Sequence, residues 1–489
     1  MKSAKYFIGC FLLVILVLGL NTGCRKSFLN INDNPNAPST VDVSVALPAA
    51  EAAIAHAMGN DMQIMGCIWS QYWTQSPAAS QYKVLEQYSP PSTNFDNVWR
   101  NFYVDGLQNL SFIITKATAQ NKKQYVACAK IMEAYAYQML TDNFGDIPFT
   151  NALQVDQTLT PTYDHQQVVY NGILKLLNDA IALIDPKDPT APSGDDLLLG
   201  GDMSKWGRFA NTMKLRVYLR LTGIDPATSE AGVRSLAGLS FLGSGENVQI
   251  NYTSAGGNTN PLYSSTVALG GTPNLLASNT AMGYLLSNND SRVTVFYSAA
   301  LTGGYNGLNQ GNYNSTVNAS SVSYPSPQVG ANSGDPNSAT APVKLMTDNE
   351  SYFLQAEAAT RGWLNAGQQQ TLYNSGVRAS YADFGLADTS ALSYLAQPAI
   401  AFPTAGSLQN QIQAIITQKW ISMCGTQGDE AWIEWRRTTY PNFFVPSAVS
   451  NIGAGRFPRI MLYPSTEVTR NPNMPGQHFI YDKVWWDIN

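Results

Sequence analysis

The sequence has few of the residues that enzymes use for catalysis. Only 13% of its 489 residues are charged, and its three histidines are His56, His165 and His478. No two histidines have the H-E-x-x-H spacing of a zinc site, and the chain has neither a G-x-S-x-G nucleophile turn nor a phosphate-binding glycine loop. We therefore expect a protein that is not an enzyme, with no catalytic residues, no cofactor and no metal site.

An excess of positive charge is also missing. The 29 lysines and arginines are outnumbered by 34 aspartates and glutamates, which gives a formal net charge of −5. Proteins that bind nucleic acids need a basic surface, because contacts to phosphate supply much of the affinity. We expect no nucleic-acid partner.

Cysteine is scarce, with five residues in the whole chain. Cys67, Cys128 and Cys424 fall in apolar helical patterns, whereas Cys10 and Cys24 belong to the N-terminal segment. An odd number of cysteines embedded in helices is typical of buried thiols and not of a disulfide framework.

The N-terminal segment has the pattern of a lipoprotein signal. Two lysines precede an apolar run that ends at Cys24, directly after small residues. The run is shorter than the roughly 20 residues that cross a bilayer, which argues against the alternative of a transmembrane helix. A cysteine at this place can be lipidated before cleavage. We predict a signal peptide at 1–23, a lipid anchor with fatty acyl chains such as palmitate on Cys24, and an Asn- and Pro-rich tether at 24–40.

The rest of the chain has mainly helical periodicity, and nothing in its composition marks a linker. We predict one domain at 41–489, mainly α, built of stacked helical hairpins of the tetratricopeptide type. No strict sequence repeat supports the hairpins, so the prediction rests on the order of the elements. Gly, Asn, Ser, Thr and Tyr dominate residues 243–342, which we predict to be a loop-rich, irregular region that faces a ligand. The clearest helical patterns cover 125–141, 164–184, 205–221, 349–358, 372–382 and 408–423.

Aromatic residues are abundant, with 10 Trp and 25 Tyr. A carbohydrate site needs flat rings that stack on the apolar faces of sugars and amides that bind their hydroxyls. The segment 71–82 supplies this mixture, and the loop-rich region adds tyrosines. The alternative is that these rings belong to the core, as two tryptophans four residues apart on a helix would. The predicted ligand-binding residues are Tyr72, Trp73, Gln75, Tyr82, Tyr305 and Tyr313.

Two pairs of carboxylates, Asp142/Asp146 and Glu430/Glu434, are candidates for catalysis. Glu430 and Glu434 share one helix face, and a pair of acids can flank a glycosidic bond. They lie beside Arg436 and Arg437, however, and such groupings more often form ion pairs. We interpret Glu430 and Glu434 as structural.

Several blocks of the sequence resemble the SusD/RagB family. They appear in the order in which that family has them and extend to near the C terminus. They are DNFGDIPF at 142–149, KWGRFANTMKLR at 205–216, QKWI at 418–421, EAWIEWRRT at 430–438 and RIMLYPSTE at 459–467.

The resemblance implies a mostly helical fold with four tetratricopeptide-like units. It also implies a lipoprotein on the outer membrane of a Gram-negative bacterium, facing the cell surface. Such proteins cap a TonB-dependent transporter of the SusC type and deliver oligosaccharides, or in some relatives peptides, to it. A surface enzyme that cleaves polysaccharide and a pure helical scaffold are the alternatives.

Overall fold

A computed structural model describes residues 41–154, 157–270 and 272–489. The predicted signal peptide at 1–23, the lipidation site Cys24 and the tether at 24–40 lie outside these described residues. The described helices of the first half are α1 (Val43–Gly59), α2 (Asp61–Trp69), α3 (Lys83–Glu86), α4 (Asp96–Arg100), a π-helix (Asn101–Leu107), α5 (Gln108–Ala119), α6 (Lys123–Phe144), α7 (Gln166–Ile181), α8 (Met203–Arg220) and α9 (Pro226–Arg234). Those of the second half are α10 (Pro261–Ala268), α11 (Asn279–Ser287), α12 (Val293–Phe296), α13 (Asp348–Thr360), α14 (Gln369–Ala382), α15 (Asp388–Leu395), α16 (Leu408–Ser422), α17 (Gly428–Thr438) and α18 (Ser465–Arg470).

Consecutive helices pack side by side as hairpins. The pairs are α5 with α6, α6 with α7, α8 with α9, and α13 with α14, while α16 packs on both α13 and α17. The predicted fold class, mainly α with stacked hairpins, is confirmed. In α7 the apolar stripe Val169, Ile173, Leu177 and Ala180 is buried, as its spacing predicts.

Local signals in the sequence define where several of these helices begin and end. The Ser407 side chain accepts the backbone N–H of Asn410, whose side chain accepts the N–H of Ser407 in return, so α16 starts with a capping box. Thr347 caps α13 by accepting the N–H of Glu350. At the end of α6, Gly145 has φ +80°, a conformation that glycine adopts without steric cost.

The strands of the described residues are short and pair only in twos. They are β1 (Trp73–Gln75), β2 (Val248–Ile250), β3 (Leu275–Ala277), β4 (Tyr297–Ser298), β5 (Tyr324–Pro325) and β6 (Val343–Met346). The pairs β1–β3, β2–β6 and β4–β5 are all antiparallel. Because β1 lies next to α2 in the sequence and β3 lies in the loop-rich region, the first pair joins that region to the helical body.

The loop-rich region 243–342 contains more local structure than its composition predicts. It includes three helices, four of the six strands and several single 3₁₀ turns, connected by irregular segments. It also has its own small apolar cluster, in which Leu276, Leu308 and Val322 are buried. This packing explains how a segment so rich in Gly and Asn keeps a defined shape.

A network of buried charges lies at the centre of the helical body, with no side chain more than 5% exposed. We call it the ion network, and its members are Asp142, Arg216, Arg220, Glu350, Glu357, Lys419, Glu430, Glu434 and Arg437. The Arg220 guanidinium contacts Glu430 at 2.8 Å and also donates to Glu434. Lys419 lies 3.3 Å from both of those glutamates.

Two glutamates of the ion network, Glu430 and Glu434, have pKa values below the ordinary range. Burial alone would raise the pKa of Glu434, but Arg437, Lys419 and Arg220 together hold it well below its ordinary value. The pKa of Glu430 is likewise lowered, because Arg220, Lys419 and Arg216 outweigh its burial. The interpretation of Glu430 and Glu434 as structural ion pairs is confirmed, because both carboxylates are buried and contact Arg220 and Lys419.

The three cysteines of the described residues, Cys67, Cys128 and Cys424, are buried free thiols, as predicted. None of the helices in the described ranges has the length and apolar character needed to cross a membrane.

Replacement of Arg220 by methionine should destabilise the fold strongly. It would leave the buried Glu430 and Glu434 short of a counter-charge, and breaking a buried ion pair from one side costs about 3–5 kcal/mol. Urea unfolding would measure this loss. Arg378→Met is the matched control, because Arg378 and Asp388 form a pair that is about half exposed; it should leave the unfolding free energy nearly unchanged. Equal effects of the two substitutions would contradict a special role for the ion network.

Candidate functional site

Three of the predicted ligand-binding residues lie inside the protein. Tyr72, Trp73 and Gln75 have no exposed surface. The Tyr72 hydroxyl donates to the carbonyl oxygen of Trp420, and the Gln75 side chain accepts the backbone N–H of Tyr82 at 2.7 Å. Trp73 lies in β1 opposite Ala277. In this structure a ligand cannot reach these three side chains, so their prediction as direct contacts is corrected: they support the surface from beneath.

The other three predicted residues are distributed along the adjoining loops. Tyr313 is buried, its hydroxyl accepts a hydrogen bond from Gln87 at 2.9 Å, and the Lys83 ammonium lies 5.1 Å from its ring centre. Tyr82 and Tyr305 are half-buried. Ligand contact by Tyr82 and Tyr305 therefore stays a prediction, whereas Tyr313 has a structural role.

An aromatic groove opens directly outside the buried layer. Trp420 stacks on Tyr72 with ring centres 5.3 Å apart, and it meets the rings of Tyr284 and Phe443 edge-on, at 5.7 and 5.4 Å. Tyr284 and Phe443 stack on each other at 5.7 Å, and Phe443 is 38% exposed. The cavity over these rings has a volume of about 370 Å³. The residues that line this groove are Asn279, Thr280, Gly283, Tyr284, Ser287, Asn309, Phe443 and Val445.

Helix α11 forms one wall of the aromatic groove. Its first residue follows Ser278, whose hydroxyl accepts the N–H of Thr280 and so fixes the start of the helix. Five residues after the helix begins, Tyr284 reaches inward, where its hydroxyl accepts a hydrogen bond from Gln418 at 2.7 Å. Gly283 faces open space, since no atom beyond its own helix turn lies within 4 Å of where a β-carbon would be.

The side chain of Gln71 connects α11 to the loop that carries Phe443 and Val445. Gln71, whose backbone has φ +61°, donates from its amide nitrogen to the carbonyl oxygen of Val445 at 2.6 Å. Its amide oxygen accepts from the Thr280 hydroxyl at 2.7 Å and from the Val445 N–H at 3.2 Å. One buried side chain thus holds α11 and the loop that carries Phe443 at a fixed separation.

The aromatic groove has no charged side chain among its described lining residues. Burial raises the pKa of its one ionisable group, the Tyr284 phenol, so this ring stays neutral at physiological pH. The amide of Asn279 donates to that of Asn309 at 2.9 Å, and both residues are exposed, so they retain donors and acceptors for a ligand. Flat rings beside amides and hydroxyls suit a neutral, ring-shaped ligand with many hydroxyl groups.

Sequence reasoning missed Tyr284, Phe443 and the two asparagines, because these residues come from segments far apart in the chain. A signal did exist at Phe443 and Phe444, which lie between Pro441 and Pro446 in a segment without helical periodicity. Two consecutive large aromatics in such a proline-bounded loop are typical of a functional surface.

A larger cavity, of about 480 Å³, lies between α4, the π-helix and α18, but it is less suited to stacking. Its tryptophan, Trp99, is only 6% exposed and is covered by Tyr103 and Phe144, at 4.7 and 5.2 Å. Elsewhere in the described ranges, no group of three or more His, Cys, Asp or Glu side chains is placed to hold a metal ion.

A buried carboxyl group lies beneath the loops that form the aromatic groove. Glu86 is fully buried, and its carboxyl oxygens accept the backbone N–H of Gln75 at 3.1 Å and the Ser447 hydroxyl at 3.5 Å. It thereby links β1 to the segment that follows Phe443 and Val445. Burial raises its pKa to about 7, although the hydrogen bonds that it accepts oppose the shift.

Comparison with known proteins gives one family and many similar folds. The matching family model, SusD-like, is described as starch-binding and associating with the outer membrane, and it covers residues 35–464. A solved chitin-binding protein is 26% identical, with a TM-score of 0.76 over 90% of this chain and 100% of its own. No curated protein matches the chain.

Two further solved structures have the same fold. A SusD homolog from Bacteroides uniformis is 23% identical, with a TM-score of 0.77 over 91% of this chain and 99% of its own. A chitin-binding SusD homolog from Flavobacterium johnsoniae is 23% identical, with a TM-score of 0.76 over 90% of this chain and 99% of its own.

The stability of the fold should depend on the protonation of Glu86. Because the folded state raises the pKa of this carboxyl, the stabilisation that protonation gives is complete below the ordinary pKa and is lost as pH rises through about 7. Glu86→Gln carries no such charge. From pH ~5 to pH ~8, the unfolding free energy of the natural protein should therefore fall by about 2 kcal/mol relative to that of Glu86→Gln.

Unfolding curves recorded across this pH range would measure the difference in unfolding free energy between the natural protein and Glu86→Gln. The effects of all other titrating groups cancel in this difference. Glu230→Gln, at a half-exposed residue in α9, is the control for exchanging a glutamate for a glutamine elsewhere in the fold. A difference for Glu86→Gln that is flat would contradict the prediction.

Proposed function

The chain belongs to the SusD-like family, and we propose that it binds neutral oligosaccharides in the aromatic groove and delivers them to an outer-membrane transporter. The observation that carries the proposal is the stacked pair of Tyr284 and Phe443, partly exposed beside a rim of amides and hydroxyls. Sugar rings offer apolar faces for such a stack and hydroxyl groups for such a rim.

The lining of the groove and the similar proteins support an uncharged glycan as the ligand. The family is described as starch-binding, and two of the similar solved structures are of chitin-binding proteins. Both polymers are uncharged, which agrees with a groove whose described lining has no charged side chain. A peptide is the less suitable ligand, because the groove offers no group to pair with a charged terminus or side chain.

The location and the partner are further parts of the proposal. The family description refers to association with the outer membrane, and the N-terminal pattern supports anchoring through lipid on Cys24 at the cell surface. A lipid anchor leaves the folded body free to move over a neighbouring barrel. We propose a TonB-dependent transporter of the SusC type as the partner that receives the oligosaccharide; its co-purification with the full-length protein would test this.

Blocking or trimming the aromatic groove should abolish or weaken glycan binding without unfolding the protein. Gly283→Trp would place a large ring in the lining of the groove, because Gly283 lines the cavity and a β-carbon there would have no atom beyond its own helix turn within 4 Å. Phe443→Ala would remove one half of the stacked pair, and the loss of one aromatic contact should weaken binding about tenfold, or ~1.4 kcal/mol.

Calorimetric titration of chito-oligosaccharides and malto-oligosaccharides into each variant would measure these effects. Phe112→Ala is the matched control, because Phe112 is an exposed phenylalanine on α5. If both groove variants bound a ligand of the natural protein with unchanged affinity, the aromatic groove would not be the site.

Binding should also be nearly independent of salt and pH. Screening by salt weakens charge–charge contacts, and the described lining of the groove has no charges to be screened. Titrations of a neutral oligosaccharide at low and high ionic strength, and at mildly acidic and mildly basic pH, should give dissociation constants within about twofold of each other. A steep salt dependence would point to an ionic site elsewhere.

A further inference from the structure

Ring contacts continue beyond the groove, from Phe443 to its neighbour Phe444 and onward. Phe444 follows Phe443, with ring centres 6.5 Å apart, and stacks on Trp435 at 5.3 Å with an angle of 15° between the rings. On its other side Trp435 meets Phe457 at 4.9 Å. Both Phe444 and Phe457 are half-buried, so each presents part of a ring to solvent.

A second stacked group is connected to Phe457 through Arg456, its neighbour in the chain. Arg456, next to Phe457 in the chain, holds its guanidinium 4.3 Å from the ring centre of Tyr481. Phe479 stacks on Tyr481 at 5.3 Å, with the two rings only 6° from parallel. Phe479 is 65% exposed, so most of its ring is open to solvent. We call the rings of Phe444, Trp435, Phe457, Tyr481 and Phe479 the aromatic ribbon.

Packing alone accounts for the middle of the aromatic ribbon but not for its ends. Phe444 and Phe457 cover Trp435, which is only 6% exposed, so these three rings pack as core residues do. Phe479 is mostly exposed, yet its ring stacks on Tyr481, which in turn contacts the Arg456 guanidinium. A rigid, exposed aromatic face is a contact surface for another molecule.

The geometry points to a second, extended glycan contact, and we propose that the aromatic ribbon binds the part of a polysaccharide chain that leaves the aromatic groove. This proposal rests on the proposed function, since it takes the same ligand class. A chain long enough to lie on both surfaces gains stacking contacts at Phe457 and Phe479 that a short oligosaccharide cannot reach. The protein would then favour long chains over short ones.

The continuity of the two surfaces supports a polymer as the occupant. Phe443 belongs to the groove and its neighbour Phe444 to the ribbon, so the row of rings has no break at their junction. Arg456 adds nitrogen donors beside the rings, which can bind sugar hydroxyls. A protein partner would also find an aromatic surface here, and the experiment separates the two occupants.

The proposal would be tested by calorimetric titration with a trisaccharide and an octasaccharide of one series, chito- or malto-oligosaccharides. Both sugars would be titrated into the natural protein, Phe479→Ala and Phe457→Ala. For the trisaccharide all three proteins should bind equally. For the octasaccharide the two variants should bind about fivefold more weakly than the natural protein. Phe112→Ala should match the natural protein with both ligands. Phe479→Ala is the cleaner variant, because so exposed a ring contributes little to folding.

The possible results separate this proposal from the proposed function. If the trisaccharide binds and the octasaccharide affinities of the variants equal that of the natural protein, the aromatic ribbon is not a glycan surface, while the groove remains one. If neither sugar binds the natural protein, both proposals are wrong. A third result is that the natural protein self-associates, that Phe479→Ala abolishes this association, and that the octasaccharide affinity is unchanged. The aromatic ribbon would then be a protein contact and not a glycan surface.

Discussion

The ion network at the centre of the helical body is the constraint on which the rest of the structure depends. Charges taken out of water are costly unless each finds an opposite charge in good geometry. Arg220 of α8 satisfies this condition only when α17 places the carboxylates of Glu430 and Glu434 within hydrogen-bonding distance of its guanidinium. Apolar side chains would tolerate small shifts between these helices, but a buried guanidinium does not. The network therefore fixes how the hairpins align.

The alignment of the helices by the ion network also positions the rings of the aromatic groove. Lys419 and Trp420 are neighbours on α16: the lysine belongs to the ion network, and the indole forms the floor beneath Tyr284 and Phe443. Any movement of α16 that displaced the indole would also pull the ammonium away from its glutamates. Phe443 follows α17, which is held by the same charges. The aromatic groove, formed by α11 and the loop that carries Phe443, is thus held in place by the charged core.

The sequence predicts the helical body well and the surface poorly, and the reason is physical. Helices are recognised from spacing within a few residues, and the family blocks at 205–216 and 430–438 contain residues of the ion network. The groove instead joins Tyr284 to Phe443, which no local pattern connects. Tyr72 and Trp73 have the composition of a sugar site, but composition does not distinguish a ring that contacts ligand from the ring beneath it. Tyr72 is separated from the groove by a single layer, Trp420.

The empty space beside Gly283 has a consequence for how such proteins can diversify. A glycine inside a helix lowers stability by roughly 0.5–1 kcal/mol relative to alanine. At Gly283 the absence of a side chain leaves free space beside α11. Each larger residue at this position would narrow the opening by a graded amount while strengthening the helix. The width of the groove can therefore be changed at one position, without any change to the charges that hold the body together.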